Sequence, residues 1–113
     1  MGKTITEKIF SRVTGKDVIA GDIVFPEPEI ITVHDWYVVN FDSALEELGI
    51  NKLYDPDKLI ISTDHEPIAV SLQAAERQKK VRQIVKKYGI KNFFDTGRGG
   101  HGHVFPVEMG LIK

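Results

Sequence analysis

The sequence predicts an α/β fold built on a mostly parallel sheet. Three short runs rich in β-branched or aromatic residues predict strands at residues 30–33, 58–63 and 92–95. Helical patterns lie between them, at residues 41–48 and 71–88. Strands that alternate with helices in this way form parallel sheets through right-handed crossovers.

Composition places the chain among ordinary soluble domains. Its 113 residues suffice for one domain, and 42% hydrophobic with 27% charged residues argues against disorder. A net charge of −1 gives no general attraction to nucleic acid or to an acidic membrane. The apolar runs are too short to span a bilayer, and the first residues do not form a signal peptide, so we expect a cytoplasmic protein.

Cysteine is absent from the sequence. Disulfides and thiolate metal sites are therefore excluded within this chain. An iron–sulfur cluster is normally held by cysteine thiolates, so the chain cannot supply the usual ligands for one.

The first helix is predicted at residues 5–14. Thr4 and Glu7 have the spacing of a capping box, and Gly15 is a typical C-terminal stop. Apolar residues recur along one face of this helix: Ile5, Ile9, Phe10 and Val13.

The two later helices also have recognisable ends. Asn40 or Asp42 would cap the helix at residues 41–48, and Gly49 would stop it. Gly89 would end the helix at residues 71–88. The expected core positions of that longer helix are Leu72, Ala75, Val81, Ile84 and Val85.

All four histidines lie in the loops that follow predicted strands: His34 after the first, His65 after the second, and His101 and His103 after the third. The carboxyl ends of parallel strands share one edge of the sheet, which is where ligands of such sheets bind. Histidine suits proton transfer, and arginine suits bidentate carboxylate binding. The residues expected at this edge are His34, Asp35, Asp64, His65, Arg98, His101 and His103.

The glycines at 97, 99 and 102 match the spacing of a dinucleotide-binding loop. That fingerprint also needs a helix opening at the loop and an acidic residue about 20 positions later, and neither follows here. We expect the glycines to allow close backbone approach to a ligand or to a neighbouring loop.

Two other interpretations of the sequence have less support. His101 and His103 could begin a metal site with His65 or Asp64 as the third ligand. The basic residues of the helix at 71–88 could contact nucleic acid, but a solvated outer face explains them better at this net charge.

Eight motifs, in order along nearly the whole chain, resemble the start of 3-isopropylmalate dehydratase large subunits, which are members of the aconitase family. Three of them are the pairs His34-Asp35 and Asp64-His65, which follow predicted strands, and the glycine loop that runs into residues 104–106. The others are residues 4–9, 21–24, 55–58, 74–76 and 92–95.

The resemblance implies a portion of a three-layer α/β/α domain from a [4Fe–4S] hydro-lyase of hydroxy di- or tricarboxylic acids. It implies that Asp64 and His65 form the family's catalytic acid–histidine pair and that His34 and Asp35 lie on a substrate-side loop. It also implies three partners: the rest of the large subunit, a small subunit or swivelling domain carrying a serine base, and the hydroxy-acid substrate.

Two departures from the family pattern affect the site. Trp36-Tyr37 stands where the family usually has Gly-Thr, and either His101 or His103 could take the role of the family's loop histidine. Family large subunits are several times longer, and their cluster cysteines lie beyond the region that this chain matches.

Three hypotheses follow for residues 1–113. The chain is the N-terminal portion of a hydro-lyase large subunit, with a catalytic set of Asp64, His65, His101 and His103 that is inactive alone. Alternatively it is a stand-alone binding module without catalysis, or a small metal-dependent enzyme that uses its histidines.

Overall fold

The computed structural model describes residues 2–112 and contains a sheet of three parallel strands in the order β1–β2–β3. The strands are β1 Ile31–His34, β2 Leu59–Ser62 and β3 Asn92–Phe94. The helices are α1 Ile5–Thr14, α2 Asp35–Glu47, α3 Leu72–Tyr88 and α4 Phe105–Glu108. The predicted α/β class with a parallel sheet is confirmed. No helix within residues 2–112 has the length and apolar character needed to cross a membrane.

Helix α1 has the predicted ends but no buried face. The Glu7 amide donates to Thr4 Oγ1 at 3.2 Å, the Thr4 amide donates to Glu7 Oε2 at 2.7 Å, and Gly15 closes the helix with φ of 68°. None of its residues is buried, and Ile5 is 75% exposed. The apolar stripe predicted from the sequence therefore exists but faces solvent here.

Helix α2 begins at Asp35, six residues earlier than predicted. The strand ends in His34, whose extended backbone leads directly into the helix. The predicted caps Asn40 and Asp42 both lie inside it, so that prediction was wrong. The β-branched and aromatic residues after Asp35 have low helix propensity, which hides the helix in the sequence. Val38 is fully buried, and its packing outweighs that low propensity.

The core lies on one face of the sheet, covered by α2 and α3. Its buried residues are Val38, Leu59, Ile61, Val81, Ile84, Tyr88 and Ile90. Because right-handed crossovers that step the same way across a sheet fall on the same side, both helices cover this face.

The buried stripe of α3 differs from the predicted one. Val81 and Ile84 are buried as expected, but Leu72 is 85% exposed and Ala75 is also exposed. Ser71 caps the helix, accepting from the Ala74 amide at 3.1 Å. The helix instead buries Ala74, Gln78, Val81, Ile84 and Tyr88.

The opposite face of the sheet is covered by the chain that follows β3. The ring of Phe105 packs edge-on against Phe94 with centroids 4.7 Å apart, and Pro106 is buried. Among residues 2–112, the third layer thus consists of the short α4 and the loop before it.

A buried carboxylate joins α2 to α3. Asp42 accepts from Lys87 Nζ at 2.7 Å and from the Tyr88 hydroxyl at 2.9 Å. The hydrogen bond from Lys87 is the main cause that holds the pKa of Asp42 below its usual value. These bonds fix the far end of the helix pair, away from the edge where the histidines lie.

We expect Asp42→Asn to lower the free energy of unfolding near neutral pH by about 1.5 kcal/mol, since a hydrogen bond to a charged group contributes about that much. The contribution is complete above the unfolded-state pKa of about 3.9 and is lost as the pH falls through the lowered folded-state pKa. Urea unfolding at several pH values should therefore show the difference closing in acid.

The matched control for this prediction is Asp57→Asn. Asp57 is exposed and lies 3.4 Å from Lys91 Nζ, so its loss should change stability very little. A stability difference for Asp42→Asn that is no larger than the control's, or that grows in acid, would contradict the assignment.

Candidate functional site

The predicted histidines meet at the carboxyl edge of the sheet. A cavity of about 270 Å³ opens there. Five of the seven predicted site residues line it: His34, Asp64, His65, His101 and His103. The other two, Asp35 and Arg98, are not among its lining residues. The parallel register explains the convergence, because His34 pairs with Ser62 and Ser62 with Phe94 at the strand ends.

His34 and His65 stack on each other. Their ring centroids are 4.1 Å apart, with 25° between the planes. Trp36 packs against His65 with centroids 4.6 Å apart, and Tyr37 meets His34 edge-on at the same distance. The two aromatic residues pack against the imidazole pair and are not among the residues that line the cavity.

Asp35 lies beneath this pair and faces the backbone. It is 2% exposed. Its Oδ1 accepts from the amides of His65 at 3.1 Å and Trp36 at 3.2 Å, and its Oδ2 accepts from the Glu66 amide at 2.8 Å. The Nδ1 atoms of His34 and His65 are each 3.9 Å from Oδ1, too far for hydrogen bonds. The carboxylate expected on the substrate side thus binds protein amides.

Asp64 is held by the glycine loop. Its Oδ2 accepts from the Gly102 amide at 2.9 Å and lies 3.8 Å from His65 Nδ1. A Cβ at Gly102 would come within 3.0 Å of the same oxygen, and one at Gly99 would lie 2.7 Å from Thr63 Oγ1. The predicted role of these two glycines, close approach to a neighbouring loop, is confirmed.

The remaining site residues lie on the loop after β3. The rings of His101 and His103 are 5.3 Å apart, and both are exposed along the cavity. Arg98 is exposed in the turn after Asp95, whose carbonyl accepts from the Arg98 amide at 2.8 Å.

Ser62 belongs to the cavity wall and was not among the site residues predicted from the sequence. Ser62 is 4% exposed, and its hydroxyl donates to the Gly100 carbonyl at 3.3 Å. Its place as the last residue of β2 was the available signal.

Curated relatives match nearly the whole chain. The 3-isopropylmalate dehydratase large subunit 1 of Methanopyrus kandleri is 41% identical over 113 residues, which is 100% of this chain and 27% of the relative. The large subunit of Saccharolobus solfataricus is 37% identical over 97 residues, 86% of this chain and 23% of the relative. That of Herpetosiphon aurantiacus is 36% identical over 115 residues, 100% of this chain and 27% of the relative.

The chain belongs to the aconitase family and corresponds to the N-terminal portion of its large subunit. It spans about a quarter of the length of the curated relatives that it matches. No protein-family model matches the chain.

The donors of this aconitase-family chain do not fit an iron–sulfur cluster. The sequence has no cysteine, and the polar side chains that line the cavity are four imidazoles, two hydroxyls and a carboxylate. Any cluster that the complete enzyme holds would need thiolates from elsewhere.

The described side chains are also poorly arranged for a metal site whose ligands all come from this chain. Within residues 2–112, the group whose ligand atoms lie within 4.8 Å of one another is His34, Asp35 and His65. Imidazole lone pairs lie in the ring plane, so two rings stacked at 25° do not aim at one ion. The Asp35 oxygens already accept three amides. The predicted grouping of His101 and His103 with His65 or Asp64 does not come this close within the described residues.

We expect Gly99→Ala to lower the free energy of unfolding by about 1–3 kcal/mol, because the added methyl group overpacks the contact between the glycine loop and β2. Besides Thr63, its Cβ would lie 2.9 Å from the Phe94 carbonyl oxygen. Denaturant unfolding measures the effect. Gly2→Ala is the control, since nothing lies within 4 Å of that position. Equal stabilities for the two variants would refute the close approach.

Proposed function

We propose that this chain supplies part of the active site of a hydro-lyase that removes water from, or adds it to, a small hydroxy di- or tricarboxylic acid. The chain would be inactive alone, and the rest of the large subunit with a small subunit or swivelling domain would complete the site. The observation that carries the proposal is the convergence of Asp64, His65 and three further histidines on one cavity. Relatives named 3-isopropylmalate dehydratase large subunits support the substrate class.

Dehydration requires a proton at the leaving oxygen and a base at the neighbouring carbon. The base takes the C–H proton, the electron pair forms the C=C bond, and the hydroxyl leaves as water after it accepts a proton. We assign that proton donation to the His65 imidazole. Asp64, 12% exposed and 3.8 Å from its Nδ1, supplies the negative charge beside the ring. Hydration runs the same transfers in reverse.

The base belongs to another part of the enzyme in this proposal. The polar side chains that line the cavity are imidazoles, the hydroxyl of Thr32, a serine that bonds to the Gly100 carbonyl and the carboxylate that accepts from Gly102. The family resemblance implies a serine base on the small subunit or swivelling domain. The thiolate ligands of the family's cluster would likewise come from outside this chain. None of the proton transfers proposed for this chain involves the cluster.

Substrate carboxylates need hydrogen-bond donors. Imidazole nitrogens on His34, His101 and His103 can provide them at the cavity wall. Arg98, exposed at the start of the glycine loop, is proposed as a bidentate carboxylate partner when the complete site forms. Asp35 supports the substrate-side loop from its buried side, by accepting hydrogen bonds from backbone amides.

The isolated chain tests the substrate class. We expect 3-isopropylmalate to shift the ring resonances of the cavity histidines in NMR spectra, and its uncharged dimethyl ester to leave them unchanged. His103→Ala should weaken this binding about tenfold, the effect of one lost charge-assisted hydrogen bond to a substrate carboxylate.

An ultraviolet assay for the unsaturated product should show no turnover by the isolated chain. Turnover would contradict the need for the rest of the enzyme. Ring resonances that do not respond to the diacid would contradict the substrate assignment.

A further inference from the structure

We infer that Asp35 is a positioning residue, which fixes the turn that carries Asp64 and His65 by accepting its backbone amides. The inference rests on the proposed function only in naming His65 as the group that is positioned. It assigns Asp35 a role behind the site rather than contact with substrate.

The burial of Asp35 excludes direct contact with a molecule in the cavity. The residue is 2% exposed and does not line the cavity. Both carboxylate oxygens are occupied, by the amides of Trp36 and His65 on one side and of Glu66 on the other. The carboxylate thus joins the first turn of α2 to the chain just after β2.

The turn after β2 needs such an attachment because it has little apolar packing of its own. His65 is exposed, and so are the four residues that follow Glu66. Val70, for example, is 89% exposed. A buried carboxylate that accepts several amides forms charge-assisted bonds, and its place in the first turn of α2 matches the sign of the helix dipole.

Two further contacts complete the attachment. The Gly102 amide holds the side chain of Asp64 from the β3 side, and Gln78 Nε2 donates to the Glu66 carbonyl at 2.8 Å from the α3 side. Of these three attachments, the one through Asp35 includes a hydrogen bond from the His65 backbone amide itself. Its loss should therefore release the His65 ring while Asp64 and the core stay in place.

The test is Asp35→Asn in the 113-residue chain. Asparagine keeps the shape of the side chain, but its NH₂ group must face one of the amide donors that the carboxylate accepted. We expect the His65 ring resonances to shift and amide hydrogen exchange at Glu66 to speed up at least tenfold relative to core amides. The core amides of β2 should stay protected.

Asp42→Asn is the matched control, since Asp42 is a second buried aspartate on the same helix and its partners are Lys87 and Tyr88. It should lower the unfolding temperature while leaving the His65 ring signals and the relative exchange at Glu66 unchanged. Equal effects of the two variants on His65, or no effect of Asp35→Asn, would overturn the positioning role.

A measurement on the unmodified chain applies even if Asp35→Asn does not fold. The amides of His65 and Glu66 should exchange more slowly than those of Ile68 and Val70 on the same loop, for which residues 2–112 provide no hydrogen-bond acceptor. Equal exchange would overturn the inference. These readouts use no substrate, so the positioning role and the proposed hydro-lyase activity can fail separately.

Discussion

The parallel pairing of β2 with both of its neighbours is the constraint on which the site depends. All three strands run in the same direction, so their carboxyl ends, and the histidines that follow them, must lie at one edge. Every residue of β2 is buried, as expected for a central parallel strand that is covered on both faces. Asp35 and Gly102 then attach the turn after β2 to α2 and to the loop after β3.

The strands and the histidine cluster were predictable from the sequence because both depend on local patterns. Short β-branched runs mark strands, and topology alone brings their ends together. The start of α2 was missed because tertiary burial of Val38 and Asp35 outweighs the weak helix propensity of the residues between them. The inward orientation of Asp35 was not predictable either, since two of its three amide partners, His65 and Glu66, lie 30 and 31 residues along the chain.

The chain is less compact than a typical domain of its length. Its radius of gyration is 16.8 Å, against about 13 Å for a compact domain of this length. Several apolar side chains before β1 face solvent, such as Phe25 at 93% exposure. An exposed apolar surface of this kind is typical of protein contacts, and the curated relatives are about four times as long as this chain.

The most direct test replaces the matching first quarter of the Methanopyrus kandleri large subunit with this chain and assays dehydration of 3-isopropylmalate with the small subunit present. We expect the chimera to be active and His65→Ala to reduce its kcat by about 10²–10⁴, the usual contribution of a general acid. A chimera that stays inactive beside an active parent, or one that works equally well with His65→Ala, would contradict the assignment of this cavity as part of a hydro-lyase active site.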